Sequence, residues 1–179
     1  RHSGADLERL KRELLAWWCS LGLLSLGVLW TIWRVPYLPT LDGPEHVLSG
    51  HIENHYGDPG TIYAAHLAPA PQFAARGFAM LFVPLEPLLG WRAALRIVLS
   101  LVALGHAWSF TALVVALRPS RRWVALLGFG LAMSWPLYMG FFSFALASAL
   151  GAALLAWLVS RRRQDVFLYL GLGIGLALV

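Results

Sequence analysis

The sequence predicts an all-α, polytopic membrane protein, and three observations carry that expectation. Of 179 residues, 59% are hydrophobic and only 13% are charged, where a soluble domain carries about a quarter charged residues. The apolar residues come in runs as long as a bilayer is thick, and the charges fall between those runs in short basic bursts. With a mean hydropathy of +0.66, this distribution makes lipid the solvent for much of the chain. The net charge of +5 is spread over separate bursts and forms no single basic face, so a nucleic-acid partner is not expected. One cysteine, Cys19, sits inside an apolar run, which excludes an internal disulfide framework or a cysteine-based zinc cluster.

The first span is Leu14 to Trp33, 20 residues without a charge, enough at about 1.5 Å per residue to cross a hydrocarbon core of about 30 Å. It follows Arg9-Leu-Lys11-Arg12 but exits through Trp30-Thr-Ile-Trp33-Arg34-Val-Pro36 with no small-residue cleavage site. An uncleaved anchor is therefore expected, not a signal peptide. Residues 34–92 form a polar external loop with four of the six histidines. Within it, 73–90 is apolar but interrupted by Arg76, Pro84, Glu86 and Pro87, which suits an interfacial or re-entrant helix better than a crossing one. Glu86 is expected to face water. A second span covers 93–117. The 38 uncharged residues 123–160 are too long for one helix, so they divide at Trp135-Pro136 to Gly140 into spans 123–139 and 141–160. Residues 166–179 start a further span, as expected of the N-terminal portion of a longer protein.

The bursts at the N-terminus, at 118–122 and at 161–163 are all cytoplasmic under the positive-inside rule, provided 73–90 does not cross. The N-terminus is then cytoplasmic and residues 34–92 face the periplasm or exterior.

The loop begins Asp42-Gly-Pro44-Glu45-His46 and continues to His51 and His55. Pro44 suits the first turn of a helix, and Asp42 lies where a carboxylate can cap it. On that helix His51 and His55 are i,i+4 partners. Glu45, His46, His51 and His55 are candidate ligands of a divalent metal, since imidazole and carboxylate suit zinc or manganese; a solvated polar helix is the rival reading. His66 is open between site residue and ordinary loop residue. Arg92 and Arg96 lie about one turn apart at the outer end of the second span, where guanidinium forks can bind phosphate or simply snorkel to the interface. His106 falls at mid-membrane, where a neutral imidazole bonded to a neighbouring serine or carbonyl is the inexpensive solution.

The order of these features resembles the N-terminal region of the GT-C-type integral membrane glycosyltransferases. In that family a first span leads to an external loop with an acid at its start, a juxtamembrane helix, a proline-containing stretch, a second juxtamembrane helix and the second span. The matching features here are Asp42 with Glu45-His46, the helix toward Tyr56, His66-Leu-Ala-Pro69-Ala-Pro71, the segment 73–90, and Trp91-Arg92 to Arg96. The sequence has Asp-Gly-Pro-Glu-His where better-known members carry an Asp-Glu pair, and Gly140-Phe-Phe-Ser-Phe144 looks closer to uncharacterised bacterial members. The resemblance implies a bacterial inner-membrane enzyme with a polyprenyl-phosphate-linked sugar donor. It further implies Asp42 as general base, with Glu45 and His46 in the catalytic set and Arg92 and Arg96 on the donor phosphate. Two other classes stay open: a transporter using His106 and the glycines of the later spans, and a non-catalytic membrane assembly protein.

Overall fold

The computed structural model describes residues 4–68 and 76–161. These form eight α-helices: α1 Gly4–Arg34, α2 Gly43–His55, α3 Tyr63–His66, α4 Gly77–Leu89, α5 Trp91–Leu117, α6 Leu127–Ala132, α7 Trp135–Met139 and α8 Phe142–Arg161. A 3₁₀ stretch, Pro119–Leu126, links α5 to α6. Among the described residues three helices, α1, α5 and α8, are long and apolar enough to cross a membrane. The chain is an integral membrane protein. Pro69 and Pro71, Arg162 and Arg163, and the expected span 166–179 lie outside the described residues.

Helix α1 begins ten residues before its apolar run. Its first turns carry the ion pairs Arg9–Glu13 and Lys11–Glu8 on exposed surface. Deeper in, α1 and α5 are stitched by two reciprocal bonds. Trp33 Nε1 donates to Ser100 Oγ at 3.0 Å, and Trp108 Nε1 donates to Ser25 Oγ at 3.2 Å. The two bonds stand two turns apart on each helix, which fixes an antiparallel register. Both serines also donate to a carbonyl of the preceding turn, Ser25 to Leu21 and Ser100 to Arg96, so no polar group of this pair is stranded in lipid. Between the stitches an apolar groove of about 540 Å³ opens, lined by Leu29, Ile97, Leu101 and Leu104 among others. Helix α8 packs chiefly on α5. Gly105 and Ala149 keep the pair close, in keeping with small residues at membrane helix contacts.

The expected continuous span 123–139 is instead a broken path, in which a 3₁₀ stretch is followed by the short helices α6 and α7. At one end Arg122 Nη2 lies 3.6 Å from Glu13 Oε2. At the other, the Leu41 and Asp42 N–H groups donate to the carbonyls of Tyr138 and Met139. Residues 122–139 thus run from a contact with the first half of α1 to a contact with the start of α2 as a series of short pieces. The reason lies in its backbone formers: Pro136 has no N–H to give the carbonyl of residue 132, so α6 does not continue into α7, and Gly140 turns the chain at φ +88°. A Cβ at Gly140 would also stand 2.8 Å from Gly43 N, so only glycine allows this turn to lie against the start of α2.

Helix α4 is 13 residues long, about 20 Å, and falls short of a crossing. One end meets the first turn of α8, where Ser143 Oγ accepts the Phe78 N–H, an orphan donor of the α4 first turn. The other end passes through Gly90 at φ +76° directly into α5. Helix α4 therefore bridges the starts of two spans.

This arrangement predicts that Thr61→Cys and Ser120→Cys, each in a Cys19→Ser background, react with membrane-impermeant thiol reagents from opposite faces. Labelling of both from one face would contradict it.

Candidate functional site

The polar residues of α2 converge on α4. Helix α2 starts with Gly43-Pro44, whose missing N–H costs nothing in a first turn. It approaches α4 closely because Gly50 has no side chain: a Cβ there would lie 2.6 Å from the Phe82 ring, which is fully buried. On the face so brought in stand His51, Asn54 and His55, at the i,i+3,i+4 spacing of neighbours on a helix.

Opposite them, α4 presents Glu86, with Pro84 and Pro87 inside the same helix. A proline at 87 cannot donate to the carbonyl of residue 83. Asn54 Nδ2 supplies that bond, reaching Val83 O at 3.0 Å. The same amide nitrogen donates to Glu86 Oε2 at 2.7 Å, and His51 Nδ1 lies 2.5 Å from Glu86 Oε1. Glu86 is only 5% exposed. The expected water-facing carboxylate is therefore a buried one, because it stands on the face of α4 that packs against α2, where Asn54 and His51 satisfy it.

A further ring of contacts orders the histidines. His55 Nδ1 lies 2.6 Å from Asp58 Oδ2, and the Thr61 hydroxyl donates to the carbonyls of His55 and Asp58. The His51 and His55 rings are 4.4 Å apart, with the Tyr63 ring edge-on to His51. Nearby, Arg76 Nη2 holds both oxygens of Glu53. One potential ligand atom from each of His51, His55 and Glu86 lies within 4.8 Å of the other two.

The other candidate residues are placed apart from this cluster. Glu45 is exposed on the first turn of α2. The His46 ring packs between Phe78 and Phe142, an apolar setting that keeps it from the His51–His55 pair. Of the four proposed metal ligands the fold thus unites two, and adds Glu86. Asp42 occupies the N-cap position of α2 but makes no side-chain cap bond, since its own backbone is helical (φ −94°, ψ −2°). Its main chain is pinned instead, with the N–H on Met139 O and the carbonyl receiving the His46 N–H.

Arg92 and Arg96 have separate partners. Arg92 is exposed over the Trp91 ring. Arg96 Nη2 donates to the carbonyls of Val35 and Pro36, and its guanidinium lies over Trp33. Arg96 thereby fixes the exit of α1, and a phosphate would have to share it. His66 is exposed at the end of α3. His106 Nδ1 lies 3.3 Å from Ser148 Oγ, beside a small cavity of about 20 Å³, room for about one water.

Compared with known protein families, with curated proteins and with solved structures, the chain matches none. The site is therefore read from its own geometry.

Sequence reasoning missed Glu86 and Asn54. A lone acid between two prolines in an apolar helix was the available signal for Glu86, because ionisable groups in such segments need a partner. Asn54 carried none. We expect Asn54→Leu to strand the Val83 carbonyl and one Glu86 oxygen and to lower stability by about 1–3 kcal/mol. Thermal unfolding of the detergent-solubilised protein measures this, with Glu45→Gln expected to leave the midpoint unchanged.

Proposed function

We propose that this chain belongs to a membrane glycosyltransferase that moves a sugar from a polyprenyl-phosphate carrier to an acceptor on the periplasmic face of a bacterial inner membrane. The observation that carries the reading is the state of Asp42. A carboxylate retained only to cap α2 would bond the first-turn N–H groups. Asp42 is half-buried, makes no such bond and has no ion-pair partner among the described residues. Its backbone is held on both sides, by the 138–139 carbonyls and by α2. That combination, a fixed main chain with an uncommitted carboxylate, suits a general base.

Two further features support the reading. The element order α1, Asp42, α2, α4, α5 agrees with the order of features in the family that the sequence resembles. The groove between α1 and α5 is apolar and has Trp33 among its lining residues, so an isoprenoid tail can lie there with its phosphate near Arg92 and Arg96. In the proposed reaction Asp42 takes the proton of an acceptor hydroxyl or amine as that atom bonds to the anomeric carbon. The bond from that carbon to the phosphate oxygen breaks, and the phosphate leaves with the electron pair. Arg92, which has no hydrogen-bond partner among the described residues, stabilises the departing charge. Glu45, exposed three residues beyond Asp42, and His46 complete the set on the same first turns of α2. The transport reading would use His106, but the cavity beside it has room for about one water, which favours packing over a pathway.

Asn caps a helix nearly as well as Asp but is no base. Asp42→Asn in the full-length protein is therefore expected to insert and fold normally while transfer from a polyprenyl-phosphate sugar falls about 10²-fold or more. A well-folded Asn variant with near-normal transfer would remove Asp42 from the chemistry.

A further inference from the structure

The carboxylate of Glu86 poses a charge problem that its hydrogen bonds alone do not solve. It is 5% exposed and receives Asn54 Nδ2 and His51 Nδ1. Neutral donors direct a buried carboxylate but do not cancel its charge, and an uncompensated buried charge is expensive. Arg76, at the start of α4, is held by both oxygens of Glu53. A cation at the imidazoles balances this carboxylate, either a proton on His51 or a metal ion shared by His51 and His55.

The second histidine decides between them. A proton on His51 needs neither His55 at the adjacent turn nor a carboxylate behind His55. Both are present. Asp58 accepts from His55 Nδ1 at 2.6 Å, which leaves Nε2 of that ring as the free lone pair. A carboxylate behind an imidazole whose other nitrogen faces its partners is the arrangement that orients histidine ligands of metals. Asn54 does the same for Glu86, fixing one oxygen while the other faces His51.

We propose that His51, His55 and Glu86 bind one divalent transition-metal ion, zinc by preference, as a clip between α2 and α4. Two imidazoles from one helix face and one carboxylate from another element form a three-ligand set that suits zinc, with water as the fourth ligand. Both imidazoles are 39% exposed, so the fourth position faces the aqueous side. The ligand atoms now stand within 4.8 Å of one another, and a tetrahedral ion requires about 3.3 Å between them. Side-chain rotation of the two half-exposed histidines covers the difference, parting His51 Nδ1 from Glu86 Oε1 and turning a lone-pair nitrogen of each ring to the ion. The charges then close: two positive on the ion, one negative on Glu86 and one negative on Asp58. The site lies about 13 Å along α2 from Asp42 and does not depend on the transferase reading.

The test is zinc titration of the full, detergent-solubilised chain after EDTA treatment, read by competition with a chromophoric chelator. One zinc per chain is expected. His51→Ala, His55→Ala and Glu86→Gln should each weaken it by about 10²-fold or more, and Asp58→Asn by about 10–100-fold. Glu45→Gln should leave it unchanged. X-ray absorption on the zinc-loaded wild type gives a readout free of any folding defect in a variant, and should show two imidazole ligands with oxygen completing the shell. Zinc binding no tighter in the wild type than in the His51→Ala/His55→Ala double variant would overturn the proposal and leave a proton as the counter-charge of Glu86. A shell with one imidazole or none would overturn it as well.

Discussion

A buried carboxylate on a proline-containing helix is the constraint on which the loop side of this molecule depends. Helix α4 cannot satisfy itself: Pro87 leaves the Val83 carbonyl without its helical donor, and Glu86 is turned away from water. Each such group, left alone in a low-dielectric setting, costs on the order of 1–3 kcal/mol or more. Helix α2 brings the remedy on one face, with Asn54 on both groups and His51 on the carboxylate. Undocking α2 would strand them together. The contact between the two helices is thus held by polar necessity as much as by the Phe78–Phe82–Phe142 cluster beneath it.

The position of Asp42 follows from that junction. With α2 held on α4 at its far end, its near end is fixed by the Leu41 and Asp42 bonds to the 138–139 carbonyls. Gly140 makes the second attachment possible because no side chain fits against Gly43. Arg96 adds a third by gathering the Val35 and Pro36 carbonyls at the exit of α1. The loop is therefore anchored to α1, α4, α5 and the end of α7, and the Asp42 main chain is set within a rigid frame. A general base gains from such positioning, since the geometry is settled before substrate arrives.

Much of this architecture was legible in the sequence, and its limits are physical. Uncharged runs report which solvent a segment prefers, so the regions of α1, α5 and α8 stand out, as does the unsuitability of 73–90 for crossing. Runs do not report backbone hydrogen bonding, and so 123–139 reads like a span although it is divided into short pieces, with Pro136 at the start of the last. The i,i+4 spacing places His51 and His55 on one face, and the expected serine partner of His106 is there in Ser148. The third member of the His51–His55 cluster lies 35 residues away, beyond any local pattern. Glu45 and His46 have the right chemistry for a metal but sit on the wrong turn of α2, with His46 consumed by packing against two phenylalanines. Arg92 and Arg96 share a helix face by spacing, yet Arg96 is drawn to carbonyls that only the folded loop presents.

Glu86 fastens α2 to α4. Hydrogen exchange of the full chain in lipid nanodiscs, comparing wild type with Glu86→Ala, addresses it most directly. Loss of the junction should speed exchange of the α2 amides by about tenfold or more, as expected for about 1.4 kcal/mol or more of lost local stability. Amides in the middle of α5, anchored by α1 and α8, should exchange as before. Unchanged protection of α2 in the Ala variant would mean that the helix is held by its aromatic contacts alone and that Glu86 does not fasten it to α4.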